Sequence, residues 1–198
     1  MTDIATLGSL LRLARDTVAN PREGATTVLT FAPPRQALWL MLALVVVVTM
    51  LLGFVFNMVA PPAPGDPAVQ ISPVTLGLVQ GVLLIVMVHA IHRIGAAFGG
   101  TGRFEESLLL VIWLQFIFIC IQVLQVLAML ILPVLGPLIV LLSIALFFWL
   151  LVNFIAALHG FRSLGQVFVM VILTLIGIAL LASIILAILG VQMPQGGV

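Results

Sequence analysis

Three histidines and two adjacent acids are the residues of this chain whose types and spacing best suit chemistry. His89 and His92 stand at i and i+3, with Arg93 at i+4, so on a helix all three project from one side. His159 and the pair Glu105, Glu106 fall at segment boundaries that a helical bundle would bring to the same membrane level. Three imidazoles and a carboxylate would suit zinc or a related divalent ion. The spacing matches no specific metal motif. The same residues are accounted for without a cofactor if Glu105 and Glu106 favour the positive end of a helix and pair with Arg93 or Arg103, while the histidines sit in a polar interface. No metal and no cofactor is assigned.

A second polar set is Gln115, Gln122 and Gln125, which fall within roughly 80 degrees of arc on one helix and draw a stripe through an otherwise apolar segment. Amides at membrane depth face protein or water, either as hydrogen-bonding glue between helices or as the lining of a path for a polar solute. Glue is favoured, because no span has a fixed charge near its centre and coupled transport usually needs one. Asn153, Gln80 and Thr49 join the same internal packing.

Hydrolytic chemistry has no visible residue set: there is no Ser, His and acid arrangement, and no paired carboxylates sit at membrane depth. Gly99, Gly100, Thr101 and Gly102 resemble a phosphate-cradling loop only superficially, since no lysine follows and no strand precedes. The glycines fit a tight turn, with Thr101 or Gly102 capping the next helix. Gly77 with Gly81, and Gly95 with Gly99, form spacings that let another helix approach closely, within the protein or between copies. The lone Cys120 excludes an internal disulfide.

The elements that must position these residues are membrane spans. Of 198 residues, 64% are hydrophobic and 7% charged, which leaves too little polar surface to cover a soluble globule. A net charge of +1 gives no reason to expect nucleic-acid binding. Uncharged apolar runs place spans at about 38–60, 74–91, 107–132, 134–158 and 167–189. Pro61, Pro62, Pro64 and Pro67 make an external loop after the first, and Pro133, Gly136 and Pro137 break the long run into a hairpin. The expected fold is an all-α polytopic bundle of about five transmembrane helices, residues 38–190. Residues 1–37 form a cytoplasmic segment before it and 191–198 a short tail beyond.

Arginine supplies every fixed cation, a pattern read as the codon bias of a GC-rich bacterial genome. Arg12, Arg15, Arg22 and Arg35 precede the first span, Arg93 and Arg103 lie between the second and third, and Arg162 lies between the fourth and fifth. All seven fall on one side and only Asp66 on the other, so the positive-inside rule puts the N-terminus in the cytoplasm and the C-terminus in the periplasm, across a bacterial inner membrane.

Within the first segment Leu7, Leu10, Leu11, Ala14 and Val18 recur on one helical face, opposite Arg12, Arg15 and Asp16, until Asn20 and Pro21 end the pattern. This reads as a short amphipathic helix in the headgroup layer, its arginines near lipid phosphates. A partner-docking helix would use the same pattern.

Three separated motifs carry a family resemblance. They are Asn20-Pro21-Arg22-Glu23; Gly99-Gly100-Thr101-Gly102; and Trp149 leading to Ala157-Leu158-His159-Gly160-Phe161-Arg162-Ser163. With these the chain resembles, over nearly its whole length, the bacterial branch of the Yip family, the Ypt-interacting or Yip-one domain proteins. The resemblance implies five helices and a cytoplasmic N-terminus. Eukaryotic relatives associate with small Rab-type GTPases, form oligomers and influence vesicle formation. This chain has a short N-terminal segment, no tyrosine and none of their acidic, tyrosine-containing and glycine-rich motifs, so a GTPase partner is carried over to no residue.

The expected function is a non-enzymatic membrane scaffold that contacts the bilayer and assembles with itself or another membrane protein. A transporter or channel for a small solute or metal ion, using the glutamine stripe and the inner-face histidines, is the alternative. An intramembrane enzyme ranks behind both, because no nucleophile and base pair is visible.

Overall fold

The computed structural model describes residues 6–59, 73–132 and 134–188, and the side chains of these except 73 and 181–188. The proline-rich segment 61–67 and the tail 191–198 lie outside the described residues. The described residues form helices and turns, with no strand among them. In order they are α1 (Leu7–Ala19), α2 (Pro21–Leu29), α3 (Arg35–Val59), α4 (Pro73–Ala97), α5 (Phe104–Ile131), α6 (Leu135–His159) and α7 (Leu164–Ile188).

Four of these, α3 to α6, are long and apolar enough to cross a membrane. The fifth, α7, continues as helix for 25 residues and is apolar along its described side chains, Leu164–Leu180. Around them Leu40, Leu78, Leu141 and Leu173 point outward, as expected where the solvent is lipid and not water. α5 is the central helix: half of its apolar centre is buried, against 17% for that of α3.

The sequence reading places one amphipathic helix before the first span; the structure has two. α1 closes where Asn20 donates its N–H to the Asp16 carbonyl, and Pro21 then opens α2 as its first residue, where its missing N–H costs nothing. α2 packs on α5 and α6, burying Pro21, Gly24, Ala25 and Val28. Gly24 makes the α1–α2 corner possible, since a Cβ there would run into the Cα and side chain of Thr17.

The buried core lies almost wholly in the half of the bundle nearest the arginines. It comprises Leu38, Leu42 and Val45 of α3, Leu84, Val88 and Ile91 of α4, and Leu108 to Leu114 of α5, with Leu150 to Ala156 of α6 and Val167, Met170 and Val171 of α7. The far half contributes only Val126 and Gly136 among the described α5 and α6 positions. The bundle is closed at its arginine end and splays toward the other.

Candidate functional site

The arginine end is held shut by the three motif segments, and His159 is their meeting point. α6 ends there because Gly160 adopts φ +73°, a left-handed conformation that glycine enters without a Cβ penalty. The chain then turns back, Phe161 donating its N–H to the Ala156 carbonyl at 3.0 Å. α4 ends the same way: Gly99 has φ +85°, and Gly100 donates to the Gly95 carbonyl at 2.9 Å. These two stops leave the His159 side chain pressed against the α4–α5 turn.

His159 is 3% exposed and both ring nitrogens are engaged. Nδ1 accepts the Gly102 N–H at 3.2 Å, which leaves the proton on Nε2, donated to the Ile91 carbonyl at 3.1 Å. The imidazole is therefore held as one neutral tautomer that ties α6 to α4 and to the start of α5. The space it fills is made by glycine. A Cβ at Gly95 or Gly100 would overlap the ring, and one at Gly102 would overlap Leu158. What resembled a phosphate loop is a socket for a histidine.

His92 completes the clamp at the other backbone group of the same residue, its Nδ1–H donated to the Gly102 carbonyl at 3.2 Å. Phe104, the first residue of α5, lies against both neighbouring imidazoles, with ring centroids 5.1 Å from His89 and 5.9 Å from His92, and reaches Trp39 of α3 at 6.4 Å. The Asn20-Pro21-Arg22-Glu23 motif joins through Arg22, whose Nη2 donates to the Phe161 carbonyl at 3.0 Å. α1 is tied in through Thr17. Its Oγ accepts the Trp113 indole N–H at 3.3 Å and donates to the Leu13 carbonyl at 2.7 Å.

The candidate metal ligands are brought to one end but spent on backbone. His89 donates Nδ1–H to the Ile85 carbonyl of its own helix at 2.9 Å. Glu106 caps α5 by accepting the Arg103 N–H at 2.7 Å, so Arg103, and not Thr101 or Gly102, is the capping position. Glu105 shares the first turn, where carboxylates suit the positive helix end. The one ion pair among the described residues is Arg15 with Asp16, at 2.9 Å and well exposed, so neither glutamate pairs with Arg93 or Arg103. No group of three or more His, Cys, Asp or Glu among the described residues is placed to hold a metal ion.

The glutamines divide. Gln115 donates its amide to the Thr49 hydroxyl of α3 at 3.1 Å and acts as glue. Gln122 and Gln125 face a crevice in the splayed half of the bundle. Asn153 is buried and donates to the Trp149 carbonyl of its own helix at 2.7 Å. Gly77 and Gly81 pack on α3, against Met50 and Val46. On α1, Leu7 and Leu11 are exposed with Arg12 and Arg15, Leu10 and Val18 are half-buried, and Ala14 is buried.

Phe104, the Arg22–Phe161 carbonyl bond and the Thr17–Trp113 pair went unread in the sequence as parts of a site. The signal for one of them was present, since Arg22 and Phe161 both lie in motifs that carry the family resemblance, but a resemblance does not say which segments touch.

Comparison with curated proteins and with solved structures gives no match. The Yip1 domain matches residues 15–186, which takes in all three motif segments, helices α2 to α6 and nearly all of α7. The chain is a multi-pass membrane protein that belongs to the Yip1-domain family.

Proposed function

We propose that this protein is a non-enzymatic scaffold of a bacterial inner membrane, crossing it five times with the arginine end in the cytoplasm and the C-terminus in the periplasm. Residues 38–190 form the membrane domain, 1–37 the cytoplasmic segment and 191–198 the periplasmic tail. The arrangement of seven arginines at one end supports the orientation, because cytoplasmic loops retain arginine while translocated ones exclude it.

One observation carries the scaffold reading: of the residues best equipped for chemistry, His159 and His92 are consumed in joining segments, while His89 and Glu106 are bonded to backbone groups at their own helices. A nucleophile, base or ligand needs a free lone pair or proton facing substrate, and His159 offers neither. A rigid cytoplasmic platform results, with α1 on its rim. There Leu7 and Leu11 enter the headgroup layer and Arg12 and Arg15 meet lipid phosphates. The partner is a second copy or another membrane protein, and no residue is assigned to a GTPase. A continuous solute path is disfavoured, since the Gln115–Thr49 bond and the packed layer beneath it close the crevice toward the arginine end.

Extraction of native membrane patches with a nanodisc-forming polymer, followed by mass measurement, tests this. Particles containing two or more chains, or this chain with a constant partner, are expected. Recovery of single 21.1 kDa chains alone, from membranes never exposed to detergent, would refute the scaffold reading.

A further inference from the structure

The far half of the bundle contains a crevice of about 520 Å³ between α4 and α6, floored by α5. Leu83 on one lip and Val140 and Ile144 on the other are themselves exposed, so the mouth opens sideways toward lipid. Gln122 and Gln125 project into it, about 27 and 31 Å along α5 from Phe104, within a hydrocarbon core of about 30 Å centred on this 28-residue helix. Neither amide makes a hydrogen bond to any described residue. Both line the crevice and are open to it, for among the described residues no buried side-chain nitrogen or oxygen lacks a partner.

Unpaired amides facing hydrocarbon are costly, so something else must bond them. Three features define it. The lining carries no charge, and a charged head would enter without a counter-ion. Each amide both donates and accepts, and a hydroxyl group answers both functions. Apart from Thr49, Gln115 and Ser143, whose polar groups are bonded within the bundle, the rest of the wall is apolar, with Phe118, Phe147 and Met87 prominent. The volume lies within the range of about 300–1,000 Å³ usual for small-molecule sites.

We propose that this crevice binds an uncharged lipid, its hydroxyl-bearing head hydrogen-bonded to Gln122 and Gln125 and its chain against Phe118 and Phe147. The purified full chain in phosphatidylethanolamine–phosphatidylglycerol vesicles would be given diacylglycerol with a photoactivatable acyl chain, or phosphatidylglycerol carrying the same chain. Labelled residues would be read by peptide mass spectrometry. The diacylglycerol probe is expected to label Met87, Phe118 or Phe147 at least five-fold over the phosphatidylglycerol probe, and Gln122→Leu with Gln125→Leu to abolish that preference. Ser143→Phe, which fills the crevice and leaves both amides in place, serves as a second variant and should abolish it too. Equal labelling by both probes, labelling spread over all lipid-facing surfaces, or a preference that survives both variants would overturn the proposal.

Discussion

Gly95 lies so close to the imidazole of His159 that a single added Cβ would overlap the ring. The two residues are 64 positions apart, on α4 and at the end of α6, and each constrains what the other can be. The obstructing atoms belong to a ring held at both nitrogens, so the ring cannot swing away cheaply.

Gly95→Ala should therefore destabilise the fold by about 1–3 kcal/mol, the usual cost of overpacking. His159→Ala should cost about 1–3 kcal/mol by orphaning the buried Gly102 N–H. The diagnostic is the double variant. With the ring gone, the alanine at 95 should add almost nothing, and reversible unfolding in mixed micelles should give strongly non-additive values. Additive penalties would mean the contact is not made. Gly53→Ala is the control, since a Cβ there meets nothing, and it should be neutral or stabilising by up to about 1 kcal/mol.

Gly24→Ala should pry α1 from α2, because the added methyl would meet the Thr17 backbone, which cannot rotate aside. Hydrogen exchange at residues 7–29 should rise at least ten-fold while the amides of 108–117 stay protected. Unchanged exchange at α1 would show that the corner is not so tightly built.

Thr17→Val removes the oxygen that accepts the Trp113 indole N–H and keeps the shape. Trp113 is 7% exposed, so its N–H would be left buried without a partner at a cost of about 1–2 kcal/mol. With Trp39 and Trp149 replaced by Phe, Trp113 emission should shift on the Thr17→Val change, and no shift would argue against the pair.

Gln115→Leu should cost about 0.6–1 kcal/mol, the usual worth of an interhelical hydrogen bond in a membrane. Thr49 keeps its bond to the Val45 carbonyl at 2.8 Å, so the loss stays small. A penalty several times larger in the same micelle unfolding assay would show that Gln115 does more than join α5 to α3.

Length and hydropathy made the four long apolar helices α3 to α6 legible from sequence, and the charge pattern separated the arginine end from the other. Pro21 was legible as the end of one helix but not as the start of the next, because proline at a first helical position and proline as a breaker look alike without the packing of Val28 and Ala25 behind it. The grouping of His89, His92, His159 and Glu106 at one end was legible as well. Their role was not, since a ligand and a backbone clamp use the same atoms and differ only in what stands opposite. For His159 that partner is Gly102, 57 residues away. The glutamine stripe had the same limit: period located three amides on one face, but only the splay of α4 from α6 separates Gln115, which is bonded, from Gln122 and Gln125, which are not.

Membrane attachment of α1 should depend on Leu7 and Leu11. With a fluorophore at Thr6, full-length protein in anionic vesicles should show quenching by brominated lipid, and Leu7→Asp with Leu11→Asp should remove it. Quenching that persists in the variant would argue that this face meets protein and not lipid.

The most direct test of the account asks which compartment the platform faces. Single cysteines at the exposed positions Thr101 and Ser163, and at the C-terminal Val198, in a Cys120→Ala background, would be treated with a membrane-impermeant maleimide in inverted vesicles and in spheroplasts. Five spans with the arginine end in the cytoplasm predict labelling of 101 and 163 only in inverted vesicles and of 198 only in spheroplasts. Labelling of 198 from the same side as 101 would contradict it.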